Sequence, residues 1–380
     1  MKIFIMVILF SSIAYADYVP KYHNTETSAM GYADVWVSGP ANRALDLNEN
    51  EFKALNLDAS ITLSKGLDLL SWGKDIVNFK DSVSGYMDLL NNLDTLKDLL
   101  KRSKHNLGVK SRLDLMKFSF VGKRQGYISI GMYSQMLVGT YMNGLRVEEI
   151  EKWEIKNDHI DLGKKLGVVS GKGIADSGIE LEYGYPFEVL DMKLGVGIKH
   201  RVFYRVEVPL YSIYFNRMLY GENDIEVPEL IFSKKMGFGT DIFTALDFDD
   251  QYVGGRVGLE LRNVLSFSRT RDNLIVGLGG AIHPLRYLGV DALVFAMDLE
   301  IFEDDGVGVQ SGASWKFGED KYYLTPSVGF VMVGRDMWGD NYRSFTTGLS
   351  TKLFVLEVSG MFEYFGNGRY DVGGKIGLSW

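Results

Sequence analysis

Along much of this chain, every second side chain is uncharged. The segment "RYDVGGKIGLSW" (369–380) shows the pattern: Tyr370, Val372, Gly374, Ile376, Leu378 and Trp380 fall on one set of alternate positions. Arg369, Asp371, Gly373, Lys375, Gly377 and Ser379 fall on the other. A two-residue period places successive side chains on opposite faces of a strand. The same division holds over 236–248, 253–261, 274–282, 307–317 and 358–364, where one alternate set contains no Asp, Glu, Lys or Arg. The intervening positions carry Asp241, Arg256, Glu260, Arg262, Lys316, Glu357, Glu363, Asp371 and Lys375, in a chain that is 24% charged. A sheet with one wholly neutral face is therefore the first constraint on the fold.

A soluble β-sandwich or lipocalin-like barrel also alternates, with its apolar face inward. Three features favour the opposite orientation. The strands read as about ten residues long, the length a tilted membrane-crossing strand requires. Aromatics gather near strand ends (Phe248, Tyr252, Trp315, Phe317, Tyr322, Tyr364, Phe365, Tyr370 and Trp380), as rings at two membrane interfaces do. The neutral faces also hold small residues such as Gly255, Gly280, Ser311, Ala313, Gly360 and Gly374, which lipid tolerates better than a close-packed core does. The expected fold is all-β: a closed antiparallel transmembrane barrel of about fourteen strands over 53–380, with a short helical insertion. Hydrocarbon offers no partner to an open sheet edge, so the last strand must pair with the first.

Residues 1–16, "MKIFIMVILFSSIAYA", combine an early lysine, an apolar run and a small-residue ending. That is the pattern of a secretory signal cleaved after Ala16. The run is half the length a membrane helix needs. With no cysteine, an exported chain of this kind has neither disulfides nor thiolate metal sites. Residues 17–52 mix Gly, Asn, Thr and Pro and show little periodicity. Within 71–104, Trp72, Ile76, Phe79, Val83, Met87, Leu90, Leu93, Leu96 and Leu100 recur every three or four residues, the helical spacing. This insertion is expected to pack within the protein, with docking at the periplasmic mouth or lumen as its second reading.

The ending resembles the last strand of bacterial outer-membrane barrels, which the barrel assembly machinery recognises. Tyr370, Ile376, Leu378 and Trp380 match that signal, with Lys375 where glycine is usual and Gly374 one residue away. The stretch "SAMGYADVWVSGPANRALDLNENEFKAL" (28–55) resembles the start of FadL-like outer-membrane barrels. In those families a Gly-x-Ala-x-Val segment and a later Asn-Pro-Ala form a lumenal plug, so the resemblance implies that residues 17–52 are an N-terminal plug. Gly31, Ala33 and Val35 fit, and Asn48, Glu49 and Asn50 occupy the later motif with Glu-Asn in place of Pro-Ala. The leucine-rich helical run is closer to the conjugal-transfer TraF-like branch. The resemblance implies an outer-membrane location and passage of small molecules, hydrophobic ones included. Its alternative is a non-conducting scaffold that binds a periplasmic partner of a secretion or conjugation assembly.

Nothing points to catalysis. The five histidines (His23, His105, His159, His200 and His283) lack metal-pair spacing, and no nucleophile elbow or phosphate loop occurs. No cofactor is expected, and with 41 basic against 49 acidic residues nothing suggests a nucleic-acid partner. The acidic tips "DFDDQ", "EDDG" and "RDMWGDN" lack the calcium-loop pattern. The inward charges Arg256, Glu260, Arg262, Asp371 and Lys375 are candidates for lining the lumen. Their interleaved signs favour pairing across the wall over a selectivity ring.

Overall fold

The computed structural model describes residue 33, 39–46, 50–64, scattered positions between 74 and 99, 105–122, 126–144, 167–189, 192–214, 233–249, 254–267, 274–285, 292–302, 307–319, 322–333, 342–365 and 369–380. The signal segment and Gly31, Asn48 and Glu49 lie outside the described residues. One helix, α1 (Gly39–Asp46), precedes the strands. They are β1 (Glu51–Ser64), β2 (His105–Gly122), β3 (Gly126–Gly144), β4 (Gly167–Val189), β5 (Met192–Tyr214), β6 (Ser233–Asp249) and β7 (Gly254–Phe267). Then follow β8 (Ile275–His283), β9 (Leu293–Phe302), β10 (Val307–Trp315), β11 (Phe317–Glu319), β12 (Tyr322–Val333), β13 (Tyr342–Leu353), β14 (Leu356–Tyr364) and β15 (Arg369–Ser379).

Strands β1 to β10 each pair antiparallel with their sequence neighbours, as do β11 to β15, and two further pairings close the ring. β10 passes over the three-residue β11 to pair with β12, and β15 pairs with β1 from Ser379 opposite Lys53 to Arg369 opposite Ser64. The result is a closed fourteen-strand antiparallel barrel with one extra short strand. Pairing continues to the final residue: Trp380 N donates to Phe52 O at 2.9 Å, and Phe52 N donates to Trp380 O at 3.1 Å. The Trp380 ring stacks on Phe52, which stacks in turn on Phe118. The chain end does not fray because the closed sheet leaves it no unpaired edge.

The neutral faces point outward. Ile376 is 51% exposed, while Asp371 beside it on β15 is 0% exposed. Leu278, Phe295, Met297, Val358, Phe362 and Val372 likewise face outward, and Asp298, Glu300, Glu363 and Lys375 are buried inside. A soluble barrel would show the reverse.

Several strands depart from the ten-residue expectation. β4 and β5 each run 23 residues, and β2, β3 and β6 run 18, 19 and 17. The stretch 145–172, ambiguous by periodicity, becomes strand from Gly167 onward. The segment 307–317 is not one strand but breaks at Lys316, whose ammonium lies over the Tyr323 ring. Phase slips also occur inside strands. Leu55 adopts φ 51° at a register shift in the β1–β15 pairing, and the β2–β3 register shifts between Asp114 and Met116, next to it. A bulge of one residue reverses which alternate set faces inward.

The two ends of the barrel differ. At the Trp380 end the strands are joined by residues 123–125, 190–191, 250–253, 284–292, 316–321 and 354–355. At the other end lie the long connections 65–104, 145–166 and 215–232, with shorter ones elsewhere. The helical insertion thus joins β1 to β2 at the end opposite Trp380. Among its described positions, Phe79 and Leu99 are buried while Lys74, Asn78, Asp81, Asp94 and Asp98 are exposed.

Candidate functional site: a charged lumen and an inner helix

The interior of the barrel is where chemistry concentrates. Helix α1 begins at Gly39-Pro40, where Gly39 takes φ 80° and proline supplies a preset φ without a wasted donor. It lies inside the barrel over β3–β6. Its seat is a set of inward glycines. A Cβ at Gly184 would sit 2.1 Å from Pro40 O, one at Gly195 2.4 Å from Ala41 O, and one at Gly197 2.6 Å from Ala41 N. The helix backbone therefore rests directly on the strand backbone. Ala41, Phe243 and Ala245 complete a small apolar contact, and Ala33 packs across the lumen floor on Ala281, Val294 and Ala296.

Arg256 on β7 clamps the far end of α1. Its Nη1 and Nη2 donate to the two Asp46 carboxylate oxygens at 2.9 and 2.7 Å, and Nη2 also donates to Asp247 at 3.0 Å. Nη1 reaches Asn42 at 3.4 Å. Arg43 lies 3.8 Å from Glu51, which lies 3.1 Å from Lys53. A planar guanidinium suits this fork better than lysine would.

Beneath and beside the helix, β2–β7 carry a ladder of opposite charges. Arg112 reaches Glu180 at 2.6 Å, Lys117 reaches Glu182 at 2.8 Å, and Lys199 reaches both, at 2.8 and 3.4 Å. Lys117 crosses above Gly131, whose missing side chain opens the way to β4. Tyr127 donates to Glu182 at 2.9 Å. Deeper still, Arg205 forks onto Asp176 at 2.7 and 2.9 Å, both side chains 3% exposed. On β7, Arg262–Val264 sit opposite the single residue Asp241, and Asn263 takes φ 58° in that bulge. Asp241 accepts there from Arg201 and from the Asn263 N–H.

The sequence candidates distribute as follows. Arg256, Glu260 and Arg262 all lie on the inner face of β7, but they serve two different places. Arg256 holds α1, whereas Arg262 bridges Glu260 at 3.3 Å and Glu300 on β9. On β15, Asp371 accepts from Ser60 at 3.4 Å and Lys375 meets Glu357 at 3.3 Å. Tyr370, Ile376, Leu378 and Trp380 share the outer face of the same strand. Asn50, the described member of the plug motif, accepts from the Val121 N–H at 3.0 Å and so ties the start of β1 to the end of β2. The reading of single strands missed the partners Asp46, Asp176, Glu180, Glu182 and Arg205, because each pair joins residues from different elements. Among the described residues no group of His, Cys, Asp or Glu could hold a metal ion.

No family model matches this chain, and no curated protein does. Solved structures with a similar course include a monoaromatic hydrocarbon channel, the TodX deltaS2 mutant, at 10% identity and TM-score 0.49, covering 94% of this chain and 97% of that one. The P. putida toluene transporter TodX matches at 10% identity and TM-score 0.47, with 94% and 97% covered. Pseudomonas putida OprB at low pH matches at 7% identity and TM-score 0.38, with 87% and 93% covered. At these scores the architecture rests on the chain's own pairing register.

Proposed function

We propose that this protein is an outer-membrane barrel that passes small molecules through its lumen when the N-terminal segment yields. One observation carries the reading: a closed barrel turns an uncharged face outward and an ion-paired face inward, with a helix seated inside. A hydrocarbon environment rewards that arrangement, since a lysine or arginine on the lipid face near mid-membrane costs about 2–4 kcal/mol. The short connections at the Trp380 end suit the periplasm, and the long ones suit the cell exterior. Residues 17–52 act as the plug in this reading, and the strand ending in Trp380 addresses the chain to the assembly machinery. The resemblance to FadL-like barrels brings hydrophobic solutes into the class, and the charged lumen limits them to small ones that tolerate polar walls.

Solute flux tests it. Liposomes holding the full-length protein are compared with liposomes holding a variant lacking residues 17–46, which ends before β1. Swelling in small sugars or amino acids should rise in the variant. A variant that migrates as a folded barrel and still passes nothing would remove the transport reading and favour a non-conducting barrel.

A further inference from the structure

How α1 is tied down bears on when the barrel opens; this inference rests on the passage reading above. The helix presents a different face to each neighbour. Pro40 and Ala44 lie on Gly184 of β4, Ala41 and Leu45 on Gly195 of β5, and Asn42 and Asp46 on Arg256 of β7. Arg43 reaches Glu51 at the start of β1.

The two ion pairs that join α1 to the wall are built alike. The Arg256 guanidinium uses two edges. Nε and Nη2 donate to Asp247, its direct cross-strand neighbour on β6, while Nη1 and Nη2 donate to Asp46. The wall thus fixes this arginine from one side, whether or not α1 engages the other. Glu51 is shared in the same way, lying 3.8 Å from Arg43 of the helix and 3.1 Å from Lys53 on its own strand. When α1 leaves, Arg256 keeps Asp247 and Glu51 keeps Lys53. No charge on the wall is stranded.

The helix side of each pair is also the wetter side. Asp46 is 48% exposed against 12% for Arg256, and Arg43 is 38% exposed against 21% for Glu51. The wall pair Arg205–Asp176 contrasts with them, both of its side chains being 3% exposed. Breaking a buried pair leaves an uncompensated charge where water cannot reach it, which costs heavily. Release of α1 instead hands Asp46 and Arg43 to solvent. Asp46 is, moreover, the last residue of α1, where an acid opposes the helix dipole. Its own helix does not favour a carboxylate there, whereas Arg256 does.

We propose that α1 is an ionic latch, closed by Arg256–Asp46 and Arg43–Glu51 and released as ionic strength rises. Salt screens exposed charges strongly and buried pairs much less. It therefore loosens the helix while the ladder within the wall holds. The glycine floor and the contact with Phe243 and Ala245 carry no charge, and they keep the seat to which the helix returns.

Thiol labelling of the full-length protein in lipid vesicles tests this. The chain has no cysteine, so Leu45→Cys supplies a single thiol on the face of α1 that packs against Phe243 and Ala245. Its rate with a water-soluble maleimide is read relative to Glu319→Cys, an exposed site on β11. Raising KCl from about 0.1 M to about 1 M shortens the Debye length from about 10 Å to about 3 Å and should speed labelling at least about fivefold. Adding Asp46→Asn should make labelling fast at low salt and nearly flat with salt. Adding Asp247→Asn removes the counter-ion on which Arg256 falls back, so labelling should be no faster than in Leu45→Cys alone. Salt-independent labelling of Leu45→Cys, slow labelling with Asp46→Asn, or fast labelling with Asp247→Asn, each in protein that migrates as a folded barrel, overturns the latch. None of these readouts needs conductance. The expected labelling without solute flux in the swelling assay would support the latch and count against passage alone.

Discussion

Adding one methyl group where α1 rests on the wall should loosen the helix without opening the barrel. A Cβ at Gly184 would lie 2.1 Å from Pro40 O, and one at Gly195 would lie 2.4 Å from Ala41 O. Ordinary contact requires about 3.4 Å or more, so each methyl pushes the helix backbone away by about 1 Å. Forced overpacking of this kind costs about 1–3 kcal/mol, and both sites press on the same helix, so their effects couple. Relief comes most easily by lifting α1, because the strands are held on both sides while the helix is held by Arg256 and one small apolar cluster. A tenfold change in an equilibrium corresponds to about 1.4 kcal/mol. Gly184→Ala with Gly195→Ala should therefore raise open probability in planar bilayers by about tenfold or more. Gly360→Ala is the control, since nothing lies within 4 Å of its added Cβ. Equal conductance in the double variant and the control, with both folded, would refute the claim that this contact holds α1 down.

Three further expectations follow from individual contacts. Leu278→Arg places a cation on the outer face of β8, where Leu278 is exposed; urea unfolding in liposomes should show a loss of about 2–4 kcal/mol. Asp176→Ala leaves the Arg205 guanidinium without its fork; the same assay should show a loss of about 3–5 kcal/mol, as for other broken buried pairs. Trp380→Ala removes the ring stacked on Phe52; assembly in cells, followed by the heat-modifiable gel band, should slow, while unassisted folding into lipid stays near the parent rate.

The faces of β8, β14 and β15 were legible because their alternation runs unbroken and the penalty for charge in lipid removes exceptions. The same logic blurred in β1 and β2. There Ala54-Leu55 and Leu115-Met116 place apolar residues side by side at the bulges, so the inner set changes from Lys53 to Asn56 and from Asp114 to Lys117 within one strand. The early part of β4, "GVVSGKGIAD", is poor in large side chains, and its strand character comes from pairing with β3 and β5. Helix α1 is too short for periodicity to reveal, although Gly39-Pro40 is a local start signal. The lumen charges could be named from one strand at a time, but not their partners. Arg112 meets Glu180 from 68 residues away, across an intervening strand. Such pairs depend on register and closure, which alternation alone does not fix.

The chain has no cysteine, so single cysteines introduced along β15 report cleanly on which way each side chain points. Spin labels at 372, 374, 376 and 378 in lipid vesicles should be reached by oxygen and shielded from a water-soluble nickel complex. Labels at 371, 373, 375 and 377 should show little contact with oxygen in the bilayer. Alternation of the opposite sign, with 376 and 378 shielded from lipid and 371 and 375 exposed to it, would contradict the outward apolar face on which the membrane barrel rests.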